Sequence, residues 1–323
     1  MTDQETKKLE AKSGAPCIFH TRIAPDVPAE FVAPSARGNM TTYYCEGVPA
    51  GWQFCSTCGA HIGSAVKDGS WMVSSSIFLD HGPDNFRMQK HIYSKSSKDL
   101  GIACMLSHVG GRRLDDRNPP NDQADARLVE EEAEFGGNGA QRLRAKCHCG
   151  GVSFTISRPT EDHVNDEFHK KYISPVDKTK WVATLDVCDD CRLINGTHVV
   201  GWTFLPLAIC DPPINRDLKI GTTKTYSSSP GVVRSFCGTC GATVFFSCES
   251  REPSEAKKVV DLATGILRAP EGSMAAKWLT WRTRVAFLET GKRYDAEFGE
   301  ALEEGMRKWT AERQGTELNS PIG

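Results

Sequence analysis

The chain has 323 residues, of which 39% are hydrophobic and 25% are charged, and its formal net charge is −2. This composition is typical of a globular protein, and the length predicts about two domains. The near-neutral charge argues against a nucleic-acid or anionic-membrane partner. The sequence has no run of 18 apolar residues, so we expect no transmembrane helix. Its polar start lacks the apolar core of a secretory signal, so we expect a cytoplasmic protein.

A cysteine motif near the start of the chain recurs far along it. Residues 54–60 read Phe-Cys-Ser-Thr-Cys-Gly-Ala, and 182 positions later residues 236–242 read Phe-Cys-Gly-Thr-Cys-Gly-Ala. With a slip of one residue, Thr42-Tyr43 also matches Thr225-Tyr226. Such self-similarity predicts two diverged copies of one module.

The first copy is partial. Residues 1–110 form a degenerate copy that begins too late to include counterparts of four later cysteines, Cys147, Cys149, Cys188 and Cys191. Cys55 and Cys58 of this copy therefore lack obvious partners, and neither Cys17 nor Cys45 has ligand spacing. We expect this copy to carry no reactive zinc and to pack over part of the second copy.

Residues 111–143 join the partial copy to an intact copy over residues 144–323. Asn118-Pro-Pro-Asn opens the connection, an acidic run follows, and Gly136-Gly-Asn-Gly closes it. This composition predicts a solvated linker with a short helix over residues 125–134.

The intact copy is predicted to be mainly β with a C-terminal helix, an α+β fold. β-branched and aromatic residues predict strands at residues 151–156, 199–204 and 242–246. A helix is predicted over residues 296–313, where four apolar side chains recur at helical spacing and form a packing face: Phe298, Leu302, Met306 and Trp309.

Thirteen cysteines are present, and an odd number cannot all pair as disulfides. Thiols of a cytosolic protein stay reduced. Cys147 and Cys149 are two apart, which on a strand places both side chains on one face. Cys237 and Cys240 lie in a tight turn in which Gly241 lets the backbone curl. Four thiolates from two such pairs predict a closed, structural zinc site, whereas buried free thiols do not account for the paired spacing.

A second cluster, formed by Asp186, Cys188 and Cys191, predicts a reactive zinc. Asp186 stands two residues before Cys188, on the same face of a predicted strand. Three protein ligands with an open fourth position are the pattern of a catalytic zinc. Such an ion polarises a carbonyl, binds a substrate thiolate or acidifies water. The alternative is a solvated Asp186 beside a cysteine pair that binds no metal.

Three histidines are candidates for catalytic proton transfer, because imidazole titrates near neutrality. His163 and His169 lie in a polar stretch, residues 161–172, that is predicted to form a lid. His198 closely follows the second cysteine cluster. The alternatives are a surface loop for the first two and a structural role for His198.

Three cysteine motifs follow one another in the intact copy. They are Cys147-His-Cys-Gly-Gly-Val-Ser-Phe, then Cys188-Asp-Asp-Cys-Arg with a following Gly-Thr, then Arg234-Ser-Phe-Cys-Gly-Thr-Cys-Gly. In this order they resemble the glutathione-dependent formaldehyde-activating enzyme family, which includes centromere protein V. The resemblance covers about residues 144–290, and about residues 10–110 are similar to the latter two-thirds of the same domain.

The resemblance implies a β-rich fold related to zinc ribbons that holds two zinc ions per chain. It implies a structural ion on Cys147, Cys149, Cys237 and Cys240. It also implies a reactive ion on Cys188 and Cys191, with Asp186 where the family has a cysteine. The family's named activity adds glutathione to formaldehyde, a carbon–sulfur bond reaction.

The sequence thus predicts a zinc-dependent lyase of carbon–sulfur type that acts on a small molecule, such as a glutathione or other thiol adduct. One alternative is a zinc Lewis-acid enzyme that hydrates, dehydrates or isomerises a biosynthetic intermediate. Another is a non-catalytic scaffold stabilised by zinc. The sequence predicts no oligomeric state.

Overall fold

The computed structural model describes residues 17, 19–26, 30–35, 37–44, 50–79, 81–82, 86–92, 94, 97–117, 134–252, 254, 257–315 and 317–319. Over these residues the fold is mainly β, with several sheets and a long helix near the C-terminal end, as the sequence predicts. Among the described helices, none is both long enough and apolar enough to cross a bilayer.

A five-stranded antiparallel sheet occupies the N-terminal part of the chain. Its strands are β1 (His20–Ile23), β2 (Met40–Tyr44), β3 (Ala50–Cys55), β4 (His61–Val66) and β5 (Trp71–Ser74), in the spatial order β1-β5-β4-β3-β2. On β3, Trp52 and Phe54 are buried, whereas Gln53 and Cys55 are half-buried, the pattern of a strand with one face in the core.

Short strands connect this sheet to the rest of the molecule. They are β6 (Lys90–Ile92), β7 (His108–Val109), β8 (Arg112–Arg113), β9 (Asp115–Arg117) and β10 (Glu134–Phe135). The range predicted as a solvated linker therefore contains strands at both of its described ends. The helix predicted there lies outside the described residues, apart from Glu134, which begins β10 and forms an ion pair with Arg144.

The remaining strands form two further sheets. They are β11 (Gln141–Lys146), β12 (Ser153–Ser157), β13 (Trp181–Asp186), β14 (Val200–Pro206), β15 (Cys210–Asp211), β16 (Thr223–Ser229), β17 (Val232–Cys237), β18 (Thr243–Cys248), β19 (Val259–Ala263) and β20 (Leu279–Trp281). One sheet has the order β10-β11-β12-β15, and the other has the order β16-β17-β18-β19-β14-β13-β20. The three strands predicted from the sequence correspond to β12, β14 and β18.

Five strands of the seven-stranded sheet have the arrangement of the N-terminal sheet. The order β2-β3-β4-β5-β1 matches the order β16-β17-β18-β19-β14. Met40 pairs with Cys55 in the first set, and Thr223 pairs with Cys237 in the second. The pairing of β3 with β4 shifts register next to Phe54, and that of β17 with β18 shifts register next to Phe236.

The two sheets meet through a reciprocal contact between their cysteine turns. A Cβ placed on Gly59 would lie 2.6 Å from the Phe236 ring, and one placed on Gly241 would lie 2.7 Å from the Phe54 ring. The two phenylalanine rings pack edge to face, with centroids 6.4 Å apart. His61 adds a polar link, because its Nε2 lies 2.7 Å from the carbonyl oxygen of Gly241.

Four α-helices complete the described fold: α1 (Glu161–Asn165), α2 (Asp189–Asn195), α3 (Leu288–Tyr294) and α4 (Ala296–Gln314). The Asp295 carboxylate caps α4 by accepting a hydrogen bond from the Phe298 amide, and Gly315 ends it with φ +66°. The four apolar side chains that predicted this helix are buried in the main core. Both the helix and its packing face are therefore confirmed, with bounds that differ by one residue at the C-terminal end.

Candidate metal centres

Four cysteines from two turns converge beside the end of the seven-stranded sheet. Cys237 ends β17, and Cys240 lies in the turn before β18. The prediction that Cys147 and Cys149 lie on a strand is wrong, because β11 ends at Lys146. The pair instead occupies the turn between β11 and β12, where Gly150 has φ +77°. The turn, rather than strand alternation, brings both thiols to one side.

The spacing of these four sulfurs fits a tetrahedral ion. All four lie within 4.8 Å of one another, and Cys149 Sγ is 3.5 Å from both Cys147 Sγ and Cys237 Sγ. Sulfurs around a zinc with bonds of about 2.3 Å are about 3.8 Å apart. Backbone amides also point at the sulfurs: Val152 N lies 3.2 Å from Cys147 Sγ, and Cys240 N lies 3.4 Å from Cys237 Sγ. The donor set and its spacing therefore fit zinc.

The protonation of these thiols leads to the same conclusion. Hydrogen bonding with Cys147 lowers the pKa of Cys149 to about 7, and the same bond raises the pKa of Cys147. Hydrogen bonding with Cys147 likewise lowers the pKa of Cys237 and raises the pKa of Cys240. Four thiols this close cannot all ionise by themselves, whereas a divalent cation between them stabilises four thiolates at once.

The second predicted cluster is also assembled, although not through a shared strand face. Asp186 ends β13, but Cys188 lies beyond that strand and caps α2. Asp186 Oδ1 accepts a hydrogen bond from the Cys188 amide at 2.8 Å, and Cys188 Sγ accepts one from the Cys191 amide at 3.3 Å. Asp186 Oδ2 lies 3.6 Å from Cys191 Sγ. A turn closed by these bonds therefore brings the carboxylate to the two sulfurs.

Burial and mutual repulsion favour a cation at this cluster. Asp186 is 7% exposed and Cys191 is 5% exposed. Burial raises the pKa of Asp186. Hydrogen bonding with Cys188, burial and the charge of Asp186 all raise the pKa of Cys191 well above its ordinary value. A divalent ion would offset this cost, because it attracts the carboxylate and the thiolates together.

Two charged residues that the sequence analysis missed, Arg234 and Asp261, interact electrostatically with Asp186 of this cluster. The positive charge of Arg234 acts on both Asp186 and Asp261, lowering the pKa of each against a larger effect of burial. The net effect raises the pKa of Asp261 to about 6, and its Oδ1 lies 3.0 Å from the Arg251 guanidinium. The sequence holds one signal for this residue, since Asp261 is a lone acid in an otherwise apolar strand, Val259–Ala263.

The stretch that contains His163 and His169 is folded. The residue of this stretch that packs beside the second cysteine cluster is Tyr172 rather than either histidine. His163 Nδ1 lies 3.1 Å from the Thr160 amide and helps to cap α1. His169 Nδ1 lies 3.2 Å from Asp166 Oδ1. Tyr172 is buried in one apolar cluster with Cys191, against which Cys188 packs. Neither histidine is among the candidate ligands grouped with Asp186 in the described part of the chain.

His198 lies in a different group from the one predicted. Its Nδ1 is 3.8 Å from Asp295 Oδ2, and it forms a cluster with His81 and Asp295 rather than with the cysteines. No sequence signal joins these residues, since they are far apart along the chain.

The N-terminal cysteine turn does not gather further ligands among the described residues. Cys55 and Cys58 belong to none of the clusters of three or more candidate ligands found there. Cys17 points elsewhere, with its sulfur 3.8 Å from the Thr197 hydroxyl. Cys45 lies outside the described residues. The expectation that this copy carries no reactive zinc stays a prediction.

Comparison of the chain with protein-family models found no match, and comparison with the curated proteins found none either.

Proposed function

We propose that this chain is a zinc-dependent enzyme of carbon–sulfur lyase type. The proposal assigns a structural ion to the four-cysteine cluster and a reactive ion to Asp186, Cys188 and Cys191. The observation that carries it is the contrast in donor number, because four protein ligands close a zinc site and three leave a position open. The resemblance of the three cysteine motifs to the glutathione-dependent formaldehyde-activating family supports the reaction type.

A zinc ion with an open position supplies Lewis acidity, which stabilises a thiolate or polarises a carbonyl. The residues of the chain supply the orientation. The Cys188 amide holds one carboxylate oxygen of Asp186, and the Cys191 amide holds the Cys188 sulfur. Because the ligands are fixed before any ion arrives, little reorganisation is needed on binding.

The positive charge of Arg234, which acts on Asp186, favours an anionic small molecule, such as a glutathione adduct. Arg234 and Arg251 lie on the Phe246 ring, with their guanidinium carbons 4.8 Å and 5.2 Å from its centroid. Guanidinium groups bind carboxylates well, and glutathione carries two carboxylates. Asp261, which interacts electrostatically with Asp186, is a further candidate for proton transfer beside His163, His169 and His198.

We also infer that the N-terminal sheet is a degenerate copy of the second module. The support is the shared strand order, pairing register and register shift, together with the matching cysteine turns. In this interpretation the first copy lost its metal ligands and serves as a packing partner.

One observation favours a second enzyme function. Asp186 provides a carboxylate where the similar family has a thiolate, and a carboxylate donates less charge to the ion. The resulting harder Lewis acid suits oxygen chemistry, such as hydration, dehydration or isomerisation.

The test is to measure bound zinc and adduct turnover in Asp186→Ala and Asp186→Cys, with Asp190→Ala as an exposed control on α2. We expect Asp186→Ala to lose one zinc per chain and all turnover of a glutathione–formaldehyde adduct, while the fold and the ion at the four-cysteine cluster are retained. Asp186→Cys should rebind the ion, and better adduct turnover than in the wild type would favour the oxygen-chemistry alternative. Unchanged zinc content and turnover in Asp186→Ala would rule out the assignment of the reactive ion, and a wild type that never turns over an adduct would exclude the carbon–sulfur lyase reaction.

A further inference from the structure

A third cluster of candidate ligands lies apart from the cysteines. His81 follows β5, His198 precedes β14, and Asp295 caps α4. His81 Nδ1 lies 3.7 Å from Asp295 Oδ2, and His198 Nδ1 lies 3.8 Å from the same oxygen. The side chains of the two histidines are 3% and 2% exposed. Two buried imidazoles thus direct the same ring nitrogen at one carboxylate oxygen.

These nitrogens lack hydrogen-bond partners. His81 Nδ1 and His198 Nδ1 are both buried and make no hydrogen bond. Their distances to Asp295 Oδ2 are too long for a hydrogen bond, which needs about 2.7–3.2 Å. Leaving a buried polar atom unsatisfied costs about 1–3 kcal/mol, so two such atoms facing one oxygen need an explanation.

The spacing is close to that of ligands around one ion. Two nitrogen or oxygen ligands at about 2.1 Å from a metal are about 3.4 Å apart in a tetrahedral site. The observed separations exceed this by a few tenths of an ångström, which small side-chain movements would close. Two of the remaining polar atoms are already held, because Asp295 Oδ1 accepts from the Phe298 amide at 2.9 Å and His198 Nε2 lies 3.1 Å from the Ser75 hydroxyl.

The surroundings orient the ligands. The His81 ring is stacked between Phe86, 4.8 Å away, and Tyr294, 4.5 Å away. The His198 ring packs edge to face against Phe298 at 5.2 Å. Groups that fix the orientation of ligating histidines raise metal affinity.

One side of the cluster opens to a cavity. A cavity of about 270 Å³ is lined by His81, Tyr294 and Asp295, with Arg112 and Lys292 on its wall. Asp186 and its two cysteines do not line this cavity. An ion at the cluster would therefore have coordination positions that water or a small molecule can reach.

We propose that His81, His198 and Asp295 bind a divalent first-row transition-metal ion whose open positions face this cavity. Two histidines and one carboxylate suit Fe²⁺ or Zn²⁺ with exchangeable positions. The site shares no ligand with either cysteine cluster, so it stands independently of the proposed lyase function. It would also tie the segment after the N-terminal sheet to the C-terminal helix.

The experiment counts the metal ions that the full chain retains after loading with Zn²⁺, or with Fe²⁺ without oxygen, and dialysis. Asp295→Asn keeps the oxygen that caps α4 but removes the charge, and His81→Gln removes one ligand. The control is His108→Gln, since His108 is exposed. We expect each ligand variant to retain one ion fewer per chain than the wild type and the control, with affinity reduced more than about 100-fold.

The result that overturns the proposal is equal retention of both metals by the wild type, Asp295→Asn and His81→Gln. Asp186→Ala separates this site from the proposed reactive site, because that variant should lose a different ion. Its combination with Asp295→Asn should lose two ions. An anomalous-scattering map of metal-loaded crystals must then show a peak between His81 Nδ1 and Asp295 Oδ2, and its absence would also reject the proposal.

Discussion

The two Cys-x-x-Cys-Gly turns have nearly the same backbone but different neighbours. Gly59 N lies 3.0 Å from the Cys55 carbonyl oxygen, and Gly241 N lies 2.9 Å from the Cys237 carbonyl oxygen. The two glycines have φ of +79° and +80°. Yet only the second turn faces another cysteine pair among the described residues. The turn conformation is therefore a property of the local sequence, whereas a metal site also needs a partner from elsewhere.

Packing contacts hold the first turn in place. The ring of Phe236 covers Gly59, and Trp52 Nε1 donates a hydrogen bond to His61 Nδ1 at 2.6 Å. His61 in turn contacts the Gly241 carbonyl of the other turn. The first turn is thus held by its contact with the second, and the second is held by its proposed ion.

The largest expected effect comes from removing one sulfur at each turn. Cys237→Ser should abolish zinc binding at the four-cysteine cluster, because it removes one of the four ligands. A structural zinc contributes about 10 kcal/mol to folding. That exceeds or matches the whole stability of many domains, about 5–15 kcal/mol, so the intact copy should unfold. Cys55→Ser should cost about 1 kcal/mol or less. Zinc content and thermal melts followed by circular dichroism measure both.

Cys237→Ser and Cys55→Ser remove the same atom from equivalent positions, so comparing them makes this prediction specific. Equal zinc content in Cys237→Ser and the wild type would contradict the structural site. A loss of zinc in Cys55→Ser would instead show that the first turn also binds metal.

A smaller effect concerns the pH dependence of the free energy of unfolding. It distinguishes the two sheets, since His61 of the first sheet corresponds to Thr243 of the second. Burial lowers the pKa of His61 to about 4, against about 6.5 in an unfolded chain. Between pH 6.5 and pH 4 the unfolded chain takes up a proton that the folded chain refuses. The free energy of unfolding should therefore fall as pH falls through this window, by about 3 kcal/mol at most.

The measurement is urea denaturation of the wild type and His61→Gln between pH 7 and pH 5. His20 and His198 also have lowered pKa values and act in the same direction, so the difference between the two proteins is the relevant quantity. Parallel pH profiles would show that His61 does not carry this dependence.

The smallest predicted effect tests whether the contact between the turns is reciprocal. Gly59→Ala and Gly241→Ala place a methyl group against a phenylalanine ring in a left-handed backbone conformation. Gly111→Ala is the control, since Gly111 has φ +73° but nothing within 4 Å of a Cβ. We expect about 1 kcal/mol for the control and about 2 kcal/mol for each of the others, measured by denaturation. Equal values for Gly59→Ala and Gly111→Ala would refute close packing at the first turn.

Several features follow from the sequence by itself, and they depend on the spacing of residues along the chain. The offset of 182 residues between the two cysteine turns predicts two copies of one module, which stays a prediction. The spacing of Phe298, Leu302, Met306 and Trp309 predicted α4 and its buried face. The pairing of four cysteines followed from chemistry, because two pairs of thiolates satisfy one tetrahedral ion. Periodicity reports which face of an element a side chain occupies, and the prediction of α4 needs no more than that.

Other features were decided only by the tertiary structure. The turn that holds Cys147 and Cys149, and the amide bonds that aim Asp186 at Cys191, replaced the strand alternation that the sequence suggested. The approach of His198 to His81 and Asp295 has no local signal. Spacing along the chain cannot report which distant segments meet, since that depends on how sheets and helices pack their buried faces against one another.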